Sequence, residues 1–86
     1  MNRGEVLDEA KKIIGGERQD SYGSPKDNFQ RIAKLWSIYI GKELTDIDVA
    51  NMMILMKVAR HKSGKFKLDN FIDICGYAAL AAEIGE

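Results

Sequence analysis

The chain has 86 residues, of which 45% are hydrophobic and 30% are charged, and its 13 basic residues balance its 13 acidic ones. This length and composition predict one globular domain, residues 1–86, with a thin core, and the zero net charge disfavours binding to nucleic acid. A single cysteine, a charged start and apolar runs too short for a membrane disfavour secreted and membrane classes, so we expect a cytoplasmic protein.

The first helix is predicted over residues 3–15, where apolar residues recur at offsets of three and four. Gly15 and Gly16 are expected to end it, because glycine tolerates the positive φ common at helix C-termini. The polar stretch from Glu17 to Lys26 has no periodicity and contains a glycine and a proline, so it is predicted as a loop.

The second helix is predicted over residues 26–41, beginning near Pro25, which suits a first turn, and ending at Gly41. Offsets of three and four predict its inward face. The residues of this face are Phe29, Ile32, Ala33, Trp36, Tyr39 and Ile40.

The third helix, residues 46–62, has the clearest start signal in the chain. Thr45 is expected to be its N-cap, with Asp48 at the partner position of a capping box. The run from Val49 to Ala59 is apolar on nearly every side, which predicts a central helix contacted from several directions.

The fourth helix is predicted over residues 69–84, with Asp69 as its N-cap. Four helices joined by short connections predict an all-α, compact, four-helix bundle-like domain without a β-sheet. A thin core and an apolar third helix also predict a homo-oligomer. The expected inward face of the fourth helix is Phe71, Ile74, Cys75, Ala78, Ala79 and Ala82.

Two carboxylates at the start of the fourth helix are candidate metal ligands. Asp69 and Asp73 lie one turn apart, so both can point to the same side and bind a hard cation such as Mg²⁺. Alternatively, Asp69 only caps the helix and Asp73 is a solvated carboxylate favoured by the helix dipole. The spacing leaves both interpretations open.

Two basic residues at the end of the third helix are candidate anion ligands. Lys57 and Arg60 follow an apolar run that can hold their stems while their heads reach a cleft or a partner. A phosphate group would suit them, as would a carboxylate such as Asp73, which would make an internal salt bridge instead. Either partner fits the pattern.

The loop before the second helix supplies three further candidates. Asp20, Tyr22 and Asn28 lie in a polar run that leads into a helix N-terminus, where free amides suit anions. The same turn-forming residues would serve equally in a plain connection between helices. No catalytic residue is assigned, because the chain has no glycine-rich phosphate loop, paired cysteines or nucleophile elbow.

Three blocks in this order, DSYGSPKDNFQRIAKLW, DVANMMILMKVAR and DNFIDICGYAALAAE, resemble a family of small phage and prophage proteins of uncharacterised function. The resemblance covers residues 17–83. The family's recurring positions map onto Asp20, Tyr22, Gly23, Pro25, Asn28, Trp36, Asp48, Lys57, Arg60, Asp69, Asp73, Gly76 and Tyr77.

The segment DNFIDICGYAAL bears a more remote resemblance to the MazG-like nucleotide pyrophosphohydrolases, all-helical enzymes in which acidic residues hold Mg²⁺ against a nucleoside triphosphate. This resemblance implies a nucleotide ligand, with Asp69 and Asp73 on Mg²⁺ and with Lys57 and Arg60 on phosphate. Where those enzymes carry a glutamate three residues before the aspartate, this chain has Asn70.

Two functions of different classes follow. One is a nucleotide-directed domain, which either hydrolyses nucleotides with Mg²⁺ or binds them without cleavage. The other is a noncatalytic phage accessory protein that acts through a helical, oligomeric surface. A DNA-binding helix-turn-helix is disfavoured by the neutral charge and by the acidic start of the third helix.

Overall fold

The computed structural model describes residues 1–15, 23–62 and 64–86. In these ranges the chain forms four helices and no strand, which confirms the all-α, bundle-like prediction. The predicted loop from Glu17 lies outside the described residues up to residue 22. No helix in the described ranges is both long and apolar enough to cross a membrane. The helices are α1 (Arg3–Ile14), α2 (Pro25–Ile40), α3 (Asp46–Lys62) and α4 (Leu68–Gly85).

Polar side chains fix where the first three helices begin. Thr45 and Asp48 form the predicted capping box, in which each backbone amide donates to the other residue's side chain, at 2.9 and 3.1 Å. Ser24 caps α2 by accepting a bond from the amide three residues on, and a second capping box joins Asn2 to Glu5 at the start of α1. These bonds satisfy amides that a first turn leaves unpaired.

Glycine ends α1 and α2, as predicted, but for different reasons. Gly41 follows α2 with φ of 76°, a left-handed conformation that favours glycine. Gly15 follows α1 with φ of −99° and ψ of 176°, which is extended backbone open to any residue. Positive φ is therefore not the reason for glycine at residue 15, and Gly16 lies outside the described residues.

The predicted N-cap of α4 is wrong. The helix begins at Leu68, and its N-cap is Lys67, whose side chain makes no capping hydrogen bond. Asp69 lies instead within the first turn, where the positive end of the helix dipole favours a carboxylate. The N-cap thus lies two residues earlier than the capping pattern indicates, and Leu68, the first helical residue, is half-buried.

The helix that contacts all the others is α4, and the prediction that α3 is central is wrong. Among the described residues α4 packs against α1, α2 and α3, whereas α3 contacts α2 and α4 alone. The apolar run of α3 is therefore partly open to solvent at Leu55, Met56 and Val58. A protein surface always includes much apolar area, so an apolar helix need not be enclosed.

The core lies between α2, α3 and α4. On α2, the predicted inward residues are confirmed for the first three turns, but Tyr39 and Ile40 are exposed because α3 and α4 do not cover the end of this helix. The buried centre consists of Phe29, Ala33, Val49 and Ala50, and the residues packed against it are Ile32, Trp36, Met53, Tyr77, Leu80, Ala81 and Ile84.

The predicted inward face of α4 is also wrong. Tyr77, Leu80, Ala81 and Ile84 pack against the core, while all six residues of the predicted face are exposed or only half-buried. Apolar residues occupy almost the whole circumference of this helix, so their spacing does not single out one side. The exposed or half-buried residues of the predicted face are Phe71, Ile74, Cys75, Ala78, Ala79 and Ala82.

A glycine allows α1 to approach α4. Gly76 is buried, and a Cβ atom at this position would lie 2.9 Å from Cγ2 of Ile14. Carbon atoms in favourable contact are about 3.5–4.0 Å apart, so any larger residue at position 76 would force the Ile14 side chain or α1 itself to shift. Glycine at position 76 thus permits the close approach of α1 to α4.

We therefore expect Gly76→Ala to be less stable than Gly85→Ala, a matched control in the same helix. A Cβ at residue 85 would lie 3.5 Å from Cδ1 of Ile47, an ordinary contact. Overpacking typically costs about 1–3 kcal/mol, and a gain in helix propensity of up to about 1 kcal/mol opposes it. Urea denaturation measures both variants, and equal free energies of unfolding would contradict the close approach.

Candidate functional site

A cleft of about 290 Å³ opens where the four helices meet, and α1 forms one wall. Its volume lies at the lower end of the range of ligand pockets, roughly 300–1,000 Å³. Most of its walls are apolar, so it would exclude water from a flat ligand. The apolar lining includes Ala10, Ile13, Ile14, Phe29, Ile32, Met53, Ile72 and Leu80.

Three residues with polar groups line the same cleft. Asn28 comes from the first turn of α2, and Asp73 and Tyr77 come from successive turns of α4. The rings of Tyr77 and Phe29 are tilted by 33° with centroids 6.3 Å apart, so aromatic surface adjoins these polar groups. The structure thus places the predicted ligand residue Asn28 in the same cleft as the predicted metal ligand Asp73.

An ion pair joins α3 to α4 beside the cleft. The Lys57 Nζ atom lies 2.8 Å from Asp73 Oδ2, and the two side chains are only 12% and 28% exposed. Limited solvent access strengthens such a charge-assisted bond relative to a surface pair. Of the partners considered for Lys57, the internal carboxylate is the one that the structure shows.

Arg60 does not join this pair. It lines a second depression, of about 300 Å³, formed by the end of α3, the connection that follows and the start of α4. Lys65 and Lys67 line it too, although neither is among the residues predicted from the sequence. The alternation of basic residues in this short connection was the available signal.

Aromatic contacts hold the end of α3 against the start of α4. The His61 ring stacks on the Phe71 ring with centroids 4.2 Å apart. The centroid of the Phe66 ring lies 5.7 Å from that of Phe71. The Nε2 atom of His61 is buried and has no hydrogen-bond partner within the described ranges.

The other predicted site residues are not brought together in the described part of the chain. Asp69 is exposed in the first turn of α4, and Asp73 is bonded to Lys57. The described residues include no group of three or more acidic, histidine or cysteine side chains placed to hold a metal ion. The binding of Mg²⁺ by Asp69 and Asp73 therefore stays a prediction. Asp20 and Tyr22 lie outside the described residues.

Comparison with known proteins identifies phage relatives. A family model described as a domain of unknown function (DUF6378) matches residues 5–85. The Gene 55 protein of Mycobacterium phage D29 is 51% identical over 81 residues, which are 94% of this chain and 54% of that protein. The Gene 55 protein of Mycobacterium phage L5 is 46% identical over 76 residues, 87% of this chain and 49% of that protein.

The chain spans about half the length of these curated relatives. No solved structure matches it.

The Lys57–Asp73 ion pair is expected to contribute to the free energy of unfolding. Lys57→Met keeps an apolar stem but leaves the Asp73 carboxylate partly buried without its cation, so we expect the free energy of unfolding to fall by about 1–3 kcal/mol. Lys34→Met, at an exposed position on α2, is the matched control and should change it by less than about 0.5 kcal/mol.

A double-mutant cycle tests whether this effect belongs to the pair. Lys57→Met combined with Asp73→Asn should destabilise the domain by less than the sum of the two single effects, because the second change removes a charge that the first has already left unpaired. Chemical denaturation of all four proteins gives the coupling free energy. Strictly additive effects would mean that the contact contributes nothing.

Proposed function

The chain belongs to the DUF6378 family, and we propose that this phage-type domain binds a nucleotide, with the base held in the cleft beside Asp73. The observation that carries the proposal is an apolar cleft that meets an ion-paired carboxylate. The remote resemblance of α4 to nucleotide pyrophosphohydrolases supports the same ligand class.

The chemistry of the cleft matches a nucleobase. A base has two flat apolar faces and a polar edge, and the walls of the cleft supply apolar surface with the aromatic rings of Phe29 and Tyr77. The Asp73 carboxylate can accept bonds from amino and imino groups of a base, while the Asn28 carboxamide can both donate and accept. The small volume suits a base rather than a whole nucleoside triphosphate.

The proposal is for binding and not for hydrolysis. Magnesium-dependent hydrolysis needs a metal held by several oxygen ligands, and Asp69 and Asp73 are the carboxylates predicted to supply them. One of the two is exposed and the other is occupied by Lys57. We therefore derive no catalytic step, and we treat a magnesium requirement as a separate outcome of the binding test.

We expect a nucleoside or nucleotide to raise the melting temperature, because a ligand that binds only the folded state stabilises it. Asp73→Ala should abolish this rise. Asp69→Ala is the matched control, since it removes the same charge from an exposed position one turn earlier in α4. Four nucleosides, each with and without Mg²⁺, identify the base and show whether the cation contributes.

A further variant guards against a loss of folding in Asp73→Ala. Asn28→Ala leaves the ion pair intact and should still lower the affinity, as calorimetry can measure. If Asp69→Ala and Asp73→Ala both lose a magnesium-dependent effect, the two carboxylates act together on the cation. If no nucleoside or nucleotide binds the wild-type protein, the proposal is wrong.

A second candidate function rests on a different observation. Leu35, Ile38 and Tyr39 share one face of α2 at offsets of three and four, and all three are largely exposed, with Tyr39 at 93%. An apolar stripe of this kind suits contact with a second copy of the chain. This arrangement supports an accessory protein that works as a homo-oligomer through a helical surface.

The oligomer proposal predicts that Ile38→Lys shifts the protein towards a monomer, because it places a charge in the middle of the stripe. Gln30→Lys adds the same charge at an exposed position two turns nearer the start of α2, so it should leave the oligomer unchanged. Sedimentation equilibrium measures both. A monomeric wild-type protein would exclude self-association through this face.

A further inference from the structure

We propose that the chain has a second ligand site, which binds a phosphate group at the junction of α3 and α4. The site, here called the basic pocket, is an open depression of about 300 Å³. It is inferred from its own residues and does not depend on what occupies the cleft. Its lining consists of Arg60, Gly64, Lys65, Lys67 and Asn70.

The basic pocket concentrates positive charge. Three of its five lining residues are cationic and none is acidic. Within the ranges that the structure describes, the ion pair is that of Lys57 with Asp73, so none of the three cations lies within 4.0 Å of a carboxylate oxygen there. Like charges around one depression repel one another, and an anion between them would relieve that repulsion.

A buried polar side chain adds hydrogen-bonding capacity. Asn70 lines the basic pocket and is only 6% exposed, which makes it the buried polar residue of the described core. Its NH₂ group can donate two hydrogen bonds, and burial in the first turn of α4 limits its rotation. A buried neutral donor beside three exposed cations suits an oxyanion better than it suits a second carboxamide or an apolar group.

The start of α4 contributes backbone donors. Lys67, the N-cap, makes no side-chain capping bond, unlike the N-terminal residues that cap the other three helices. The amides of Leu68 and Asp69 precede the first intrahelical donor, and an oxyanion can accept from such groups. The helix is 18 residues long, so its dipole also favours negative charge at this end.

The shape of the donor set favours phosphate among anions. The Arg60 guanidinium has a planar fork that matches two oxygens of a phosphate, while Lys65 and Lys67 supply point charges that can meet the others. A monovalent carboxylate would leave most of this charge uncompensated. A phosphate monoester or a pyrophosphate group carries enough charge and enough acceptors for all of these donors.

Two sources of phosphate fit the position of the basic pocket. Asn70 in the pocket and Asp73 in the cleft are three residues apart on α4, which is roughly 4.5 Å along the helix axis. A nucleotide could therefore extend from one depression into the other, and free pyrophosphate could occupy the pocket alone. The shared chemistry is the phosphate group, and the experiment separates the two sources.

The test is a titration of the protein with pyrophosphate, with a nucleoside and with the corresponding nucleoside triphosphate, followed by calorimetry and by amide chemical shifts. We expect pyrophosphate to bind and to shift the amides of Leu68 and Asp69. Lys65→Ala combined with Lys67→Ala should weaken pyrophosphate binding at least about tenfold, because it removes two of the three cations.

A matched variant controls for the loss of overall charge. Lys34→Ala combined with Lys42→Ala removes the same two charges at exposed positions outside the basic pocket and should leave pyrophosphate affinity within about twofold of wild type. Equal weakening in both double variants would show attraction by net charge alone and would overturn the proposal. Arg60→Lys keeps the charge but loses the fork, so its effect should be intermediate.

The three ligands keep the two proposals distinguishable. Binding of pyrophosphate without any nucleoside binding would support the basic pocket and reject the cleft as a base site. Nucleoside binding alone, with no response to pyrophosphate, would support the cleft as a base site and reject the basic pocket. If one nucleotide spans both depressions, the triphosphate will bind more tightly than either fragment, and variants of the pocket and of the cleft will each remove part of the gain.

Discussion

The Lys57–Asp73 ion pair is the constraint on which both candidate sites depend. A sheltered pair of charges sets the register of α3 against α4, because sliding either helix would leave a carboxylate or an ammonium without its partner. Arg60 lies three residues after the lysine and Asn70 three residues before the aspartate. Both residues therefore lie closer in the chain to the short connection between α3 and α4 than the ion pair does. The basic pocket forms at that connection.

The cleft arises because the core is thin. Only four residues form the buried centre between α2, α3 and α4, and α1 is attached through α4 alone in the described part of the chain. The close contact at Gly76 brings α1 near enough to wall the cleft but not to fill it. A small domain buries a modest share of its surface, so a ligand in this space would complete the core as well as bind. A ligand that bound there would therefore also stabilise the folded domain.

Local signals predicted the helix ends, and longer-range packing explains where the predictions failed. The capping box of Thr45 and Asp48 and the left-handed Gly41 depend on a few neighbouring residues, so the sequence was enough to identify them. The side of α4 that faces the core depends on where α1, α2 and α3 lie. Because apolar residues surround almost the whole of α4, its sequence does not indicate which side that is. The predicted cap at Asp69 is wrong because α4 begins at half-buried Leu68, so Asp69 lies within the first turn.

In the candidate site, too, local spacing identifies individual residues but not which of them the fold brings together. The spacing of Lys57 and Arg60 predicts that they act together on one ligand. In the structure Lys57 pairs with Asp73 of α4, whereas Arg60 lines the basic pocket. Lys65 and Lys67 escaped prediction because they lie in a connection, where no periodicity marks a shared direction. Their partnership with Arg60 exists only after α3 and α4 are folded against each other.

Net charge is a poor guide to a small anion site. The chain is neutral as a whole, which argues against a long nucleic acid because such a ligand would lie across acidic and basic residues alike. A single phosphate group responds mainly to charges within a Debye length, about 10 Å at 0.1 M salt. Three cations line the pocket, so at that range they outweigh the single carboxylate of Asp69 in the first turn of α4. The same balance that disfavours a polymeric ligand is therefore compatible with a small one, and adding salt should weaken pyrophosphate binding without affecting a nucleoside held in the apolar cleft.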